Sequence, residues 1–101
     1  MVFKGTVYAI KSLTSNYIYI GSTKQSLSIR YSKHKHDSKN LHRMKPIHKI
    51  ILQNGGFDNF QIKTLKEVNC NSLIELQLYE KKIIDNYKDN NSFVLMNKQL
   101  L

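Results

Sequence analysis

Two segments, Thr6-Val7-Tyr8-Ala9-Ile10 and Tyr17-Ile18-Tyr19-Ile20-Gly21, decide how this chain is read. Both are rich in β-branched and aromatic residues, and the polar stretch Ser12 to Asn16 between them supplies turn formers, so together they predict a β-hairpin. Successive strand side chains point to opposite faces, which sends Tyr17 and Tyr19 one way and Ile18 and Ile20 the other. Gly21-Ser22-Thr23 breaks the second strand. A helical run then begins near Ser26, on which Leu27, Arg30, Tyr31 and His34 fall at i, i+3, i+4 and i+7 and share one face. A guanidinium and an imidazole thus sit among apolar side chains, close to where two tyrosines leave the sheet.

That arrangement resembles the GIY-YIG nucleases, whose two name-giving tripeptides lie on adjacent strands and are followed by a helix bearing an arginine. The second tripeptide is intact as Tyr19-Ile20-Gly21. The first is Thr6-Val7-Tyr8, with its tyrosine kept and Thr in place of Gly. Arg30 stands where the family's helix arginine would, and His34 fits the histidine found one turn later in many members.

The 101 residues are enough for one domain with a modest core, expected to span 1–101. The formal net charge of +9 favours a polyanionic partner, nucleic acid ahead of an anionic membrane surface. No apolar signal segment opens the chain and no run approaches membrane-spanning length. Cys70 is the single cysteine, so an intramolecular disulfide is excluded. An intracellular location, in the cytoplasm or nucleus of a host cell, is the expectation.

The segment from Arg30 to Lys49 concentrates the positive charge. Lys33, Lys35, Lys39, Arg43, Lys45 and all four histidines stand there against one acid, Asp37. Such runs are often only solvated loops, but this one-sided excess is read as a phosphate-contacting surface. His34 and His36 cannot share a helix face, and the cysteine is remote, so no standard zinc spacing is present.

Pro46 opens a short helix with Ile47, Ile50 and Ile51 as its apolar stripe, and Asn54-Gly55-Gly56 stops it. Phe57 to Leu65 reads as a third strand, with Phe60, Ile62 and Thr64 on one face. A last helix runs from about Asn71, capped by Asn71 or Ser72, to about Lys88. Leu73, Leu76, Ile83, Ile84 and Tyr87 make its apolar stripe, and Glu80 projects from the middle of it. A carboxylate there costs desolvation energy unless it has a partner. Taken alone, the residue fits an internal salt bridge as well as it fits a metal ligand.

The resemblance favours the metal, because the family places a cation-binding Glu on a late helix and Leu78-Tyr79-Glu80-Lys81-Lys82-Ile83-Ile84 matches it. It also implies that Asn97, within Leu95-Met96-Asn97, is the family's active-site asparagine. Phosphodiester hydrolysis needs charge balanced, water activated and a leaving oxygen stabilised. Arg30 would grip non-bridging oxygens, and Glu80 would hold Mg²⁺ or Mn²⁺ with several waters. By resemblance Tyr8 is the base, its phenol lowered by metal and arginine, while Tyr19 orients the water and His34 assists a proton transfer or binds phosphate.

The expectation is therefore an α+β domain in the order strand, strand, helix, helix, strand, helix. It has a small three-stranded, mainly antiparallel sheet flanked by helices, with the active site on one sheet face. The expected function is a divalent-metal-dependent endonuclease acting on duplex or branched DNA. Little sequence specificity of its own and no obligate protein partner are expected. The rival from another class is a catalytically silent nucleic-acid-binding domain on the same scaffold, which the altered first tripeptide would suit.

Overall fold

Side-chain alternation along the hairpin builds two cores, one on each side of a sheet. The computed structural model describes residues 2–90 and 92–97. Strand β1 (Phe3–Ser12) pairs antiparallel with β2 (Tyr17–Thr23), setting Tyr8 opposite Gly21 and Ile10 opposite Tyr19. On one face Val7, Ala9, Ile18 and Ile20 are buried against Leu76, Val68, Cys70 and Leu95. On the other, Tyr8 and Ile10 join Ile47, Ile51, Phe57 and Phe60, with Tyr17, Tyr19, Leu27 and Tyr31 packed around them. Each fully buried aliphatic side chain contributes about 1.5–3 kcal/mol.

The helices divide accordingly. Helix α1 (Leu27–Asp37) and α2 (Pro46–Gln53) cover the tyrosine face, while α3 (Leu73–Lys88) covers the isoleucine face. Their ends carry the devices their sequences suggest. Ser26 Oγ accepts from the Ile29 N–H at 3.2 Å, and Ser72 Oγ accepts from the Glu75 N–H at 3.2 Å. After α2, Gly55 and Gly56 take φ of +101° and +78°, and the Gly56 N–H closes back on the Ile51 carbonyl.

The sheet departs from expectation in three ways. It has four strands in the order β3-β1-β2-β4 and is mixed, because β4 (Val94–Leu95) pairs parallel to β2. Two residues are too few to show a periodicity, so nothing in the sequence pattern marks them as a strand. Phe57–Asn59 forms a 3₁₀ turn, and β3 begins at Phe60 and runs on to Cys70. A bulge then interrupts its pairing, for Val7 faces Lys66 while Tyr8 faces Thr64. The extra residue, Leu65, reverses parity. Phe60 and Ile62 pack on the tyrosine face, whereas Val68 and Cys70 pack on the α3 face. One departure concerns α3: Leu73, expected in the stripe, is the first helical residue and is 55% exposed.

Gly21 is where the hairpin is tightest. A Cβ there would lie 2.5 Å from the Tyr8 hydroxyl oxygen, so the phenol occupies the space a side chain would take. Gly21→Ala is therefore expected to destabilise the fold by about 1–3 kcal/mol through overpacking. Equilibrium unfolding in urea measures this, and an unchanged midpoint would mean that the Tyr8 ring can retreat.

Candidate active site

Tyr8 is fully buried, and its hydroxyl is the meeting point of α1 and the sheet. Arg30 Nε donates to Tyr8 Oη at 3.2 Å, and His34 Nε2 lies 2.9 Å from the same oxygen. The shared helix face of Leu27, Arg30, Tyr31 and His34 is what turns both groups inward. Tyr31 fixes the helix, since its hydroxyl reaches the backbone carbonyls of Phe57 at 2.8 Å and Phe60 at 3.0 Å. Tyr19, half-buried, packs beside the pair with its ring centroid 6.4 Å from that of Tyr8 and 6.0 Å from that of His34.

Behind His34 stands a residue without an individual role in the sequence reading. His48 is completely buried and its Nε2 lies 2.9 Å from His34 Nδ1. Its Nδ1 accepts from the Lys45 backbone N–H at 3.0 Å. The available signal was its position three residues before Ile51, on the apolar side of α2 rather than with the solvated charges.

Glu80 comes from the helix on the opposite face, so the site wraps the edge of β2 and does not lie on one sheet face. Its Oε1 accepts from Ser22 Oγ at 2.7 Å, and Ser22 shares the face of Ile18 and Ile20 that meets α3. Alternation past Gly21 could have found Ser22, had the second strand been carried to Thr23. Among the described residues Glu80 forms no ion pair with a lysine or arginine. Both ends of the Asn97 amide are engaged by β2. Its Oδ1 accepts from the Ile20 N–H and its Nδ2 donates to the Ile20 carbonyl, both at 2.8 Å, which clamps the segment after β4 to β2.

The expected phosphate-contacting residues split into two groups. Lys33, Arg43 and Lys45 line a cleft of about 540 Å³ with Arg30 and Asp37. Lys35 and Lys39 instead border a second cleft beside Phe57 and Asp58, and the Lys35 ammonium sits 5.0 Å over the Tyr31 ring.

Electrostatics follow burial. The Tyr8 phenol is held above its ordinary value of 10.0 by burial, against the lowering pull of Arg30. The anticipated lowering thus does not arise from the arginine alone. Burial, the neighbouring Tyr8 and the Glu80 charge raise Tyr19 as well. His34 is pushed down from 6.5 to about 3 by burial, then by the positive charge of Arg30 and by His48 and Lys45, with Asp37 opposing. Burial and Lys45 lower His48 too.

The donor set suits one kind of cation. Among the described residues no group of three or more His, Cys, Asp or Glu could hold a metal, and the two buried imidazoles are bonded to each other. A single carboxylate without a cationic partner, backed by a hydroxyl, fits an ion that keeps most of its water, as Mg²⁺ does.

The family model for the GIY-YIG catalytic domain matches residues 4–93. This chain belongs to the GIY-YIG family. The GIY-YIG match takes in both tripeptides, the α1 arginine and Glu80, and the family is one of nucleases. Two proteins of Invertebrate iridescent virus 6 are similar to it. A putative MSV199 domain-containing protein, 146R, is 40% identical over 84 residues, covering 83% of this chain and 34% of the relative. An uncharacterized protein, 019R, is 31% identical over 99 residues, covering 93% of this chain and 33% of the relative. The chain therefore spans about a third of the length of the curated relatives it matches. No solved structure matches it.

The buried histidines make acid sensitivity a test of this geometry. Unfolded histidines take up protons near pH 6.5, whereas His34 folded stays neutral down to about 3. Stability is thus fully present above about pH 6.5 and is lost as pH falls, at up to about 1.4 kcal/mol per pH unit for each such histidine. Unfolding midpoints measured from pH 7 to 5 should fall steeply, and His34→Asn should flatten the slope. A flat profile in the parent would mean that the imidazoles protonate within the native fold.

Proposed function

We propose that this domain is a divalent-metal-dependent endonuclease that hydrolyses phosphodiester bonds in DNA with little sequence preference of its own. The observation that carries this reading is the meeting of Arg30, Tyr8, Tyr19 and His34 with a carboxylate that pairs with no lysine or arginine among the described residues. A structural carboxylate at such a place would be matched by a lysine or arginine; Glu80 is matched by a hydroxyl.

In this reading Arg30 places its guanidinium on the scissile phosphate, with Nε tied to Tyr8 and the terminal nitrogens left for non-bridging oxygens. Glu80 holds Mg²⁺ or Mn²⁺, which when bound stabilises the leaving oxygen. Tyr19, the more exposed phenol, orients the attacking water, and Tyr8, once it has released its own phenolic proton to solvent, takes that water's proton at Oη. Tyr8 has no exposed surface in the free protein, so DNA binding has to shift Tyr19 or Arg30 to open it. Lys33, Arg43 and Lys45 continue the positive surface from Arg30 and take flanking phosphates, while Asn97 keeps Ile20 and the adjoining Gly21 in place.

The silent-domain alternative leans on Thr6. That residue lines a surface cleft with Lys4, Lys24 and Leu27, and none of Tyr8, Arg30, His34 or Glu80 borders it. The departure from the family tripeptide thus falls outside the constellation.

A plasmid-nicking assay with and without Mg²⁺ tests the activity. The parent should nick only with metal, and Arg30→Ala and Glu80→Gln should each lose about a hundredfold or more in rate while DNA affinity stays within a few-fold. Parallel losses of affinity and rate would make these binding residues. No nicking by the parent under any metal would leave the silent domain.

Salt dependence tests the binding face separately. Each phosphate that the protein neutralises steepens the plot of log affinity against log salt by about 1. Replacing Lys33 and Arg43 with alanine should flatten it by about 2, and replacing Lys35 and Lys39 should change it far less. The reverse pattern would put DNA on the face of the second cleft.

A further inference from the structure

We propose that His48 is a positioning residue that fixes the tautomer of His34, making His34 a hydrogen-bond donor to Tyr8 Oη and never the acceptor of its proton. The catalytic consequence rests on the endonuclease reading above; the tautomer itself does not.

The polarity starts at a group that cannot titrate or turn around. The Lys45 backbone N–H, at the start of α2, can only donate, and it points at His48 Nδ1 over 3.0 Å. His48 Nδ1 must therefore carry a lone pair. Fully buried beside Lys45 and Arg30, His48 stays neutral and keeps one proton, which belongs on Nε2. That N–H meets His34 Nδ1 at 2.9 Å, so His34 accepts there and carries its own proton on Nε2. The second N–H lies 2.9 Å from Tyr8 Oη.

Tyr8 Oη then receives two donors, His34 Nε2–H and Arg30 Nε–H. Both lone pairs of the phenol are engaged, and its own proton points away from both, the one donor of this network left without an acceptor among the described residues. Reversing the chain would aim two N–H groups at each other between Lys45 and His48 and leave both buried donors without an acceptor. With this polarity His34 does not deprotonate Tyr8. It stabilises the phenolate by a hydrogen bond, and the phenolic proton passes to solvent on the substrate side, which leaves the third lone pair of the phenolate to take the proton of the attacking water.

Nitrogen-detected NMR of the ¹⁵N-labelled free protein at pH 7 reads each imidazole's protonation site directly. His34 and His48 should both be protonated at Nε2 and bare at Nδ1. His48→Phe keeps the ring volume and removes both nitrogens, so His34 should spread over two tautomers. His48→Gln retains an N–H within reach of His34 Nδ1 and should restore the parent pattern.

In nicking assays with Mg²⁺, His48→Phe should lower kcat about tenfold or more with KM within about twofold, and His48→Gln should regain most of the loss. A proton on His34 Nδ1 in the parent would overturn the proposal, as would a folded His48→Gln no faster than His48→Phe. Should His48→Phe fail to fold, the parent spectrum and the Gln variant still decide. If the parent does not cleave DNA at all, the endonuclease reading falls, and the spectra judge the tautomers without it.

Discussion

A buried hydroxyl has to be satisfied, and the Tyr8 phenol sets that requirement for most of this molecule. It lies over Gly21 with no room for a side chain beneath it, closed off from water that could hydrogen-bond it. Leaving such a group unpaired costs about 1–3 kcal/mol, so α1 must deliver donors to one point. Arg30 and His34 do so from adjacent turns. His34 is then itself a buried polar group needing a partner, which places His48, and His48 needs one in turn, which the first turn of α2 supplies through the Lys45 amide. Satisfying one oxygen thus links both helices to the sheet, alongside the apolar packing of Leu27, Tyr31, Ile47 and Ile51. Networks of this kind rigidify a site when every member is paired, and lose more than one bond when any member is removed.

The second constraint is an edge. Strand β4 pairs with β2 only at Tyr17 and Ile18, and Asn97 extends the attachment to Ile20 with two side-chain hydrogen bonds. Past Ile20 no strand covers the outer edge of β2 among the described residues. Gly21 and Ser22 lie there, one without a side chain and the other bonded to Glu80. The uncovered edge lets a carboxylate from the isoleucine face and phenols from the tyrosine face act on the same volume, and the Glu80 charge raises both phenols. A longer β4 would close that edge and separate the two halves of the site. Strand β4 thus anchors the chain along β2 only at Tyr17 and Ile18, short of the edge where Gly21 and Ser22 lie.

Much of this was legible in the sequence because it depends on periodicity. The hairpin alternation sorted Tyr17 and Tyr19 from Ile18 and Ile20 correctly, the face of α1 held Arg30 and His34 together, and Glu80 stood out as a charge within an apolar stripe. What was hidden depends on pairing between distant segments. The Leu65 bulge leaves no mark on the β3 sequence, since it is defined only against β1. Strand β4 is too short to carry a pattern. His48 looked like one more member of a basic run, because a sequence window gives every histidine there the same charge, whereas the fold buries two of the four and exposes the others. Burial, and not composition, separates the imidazoles that organise the site from those that face solvent.

The same reasoning applies to the lysines. A run from Arg30 to Lys49 is one basic block along the chain, yet α1 turns about 100° per residue and distributes its charges around its axis. Lys33 falls on the side of Arg30, and Lys35 falls on the side of Tyr31 and Phe57. Arg43 and Lys45, from the segment between the helices, return to the Arg30 side. The cleft they line holds four cations and one acid, Asp37, whose buried Oδ1 has no hydrogen-bond partner. That carboxylate opposes the fall in pKa of both inner histidines. It therefore offsets part of the field that the cleft-lining cations impose on the network behind them. A polyanion settling on the cleft would act in the same sense, lessening the positive potential at His34 and His48 through the cations that stand between them.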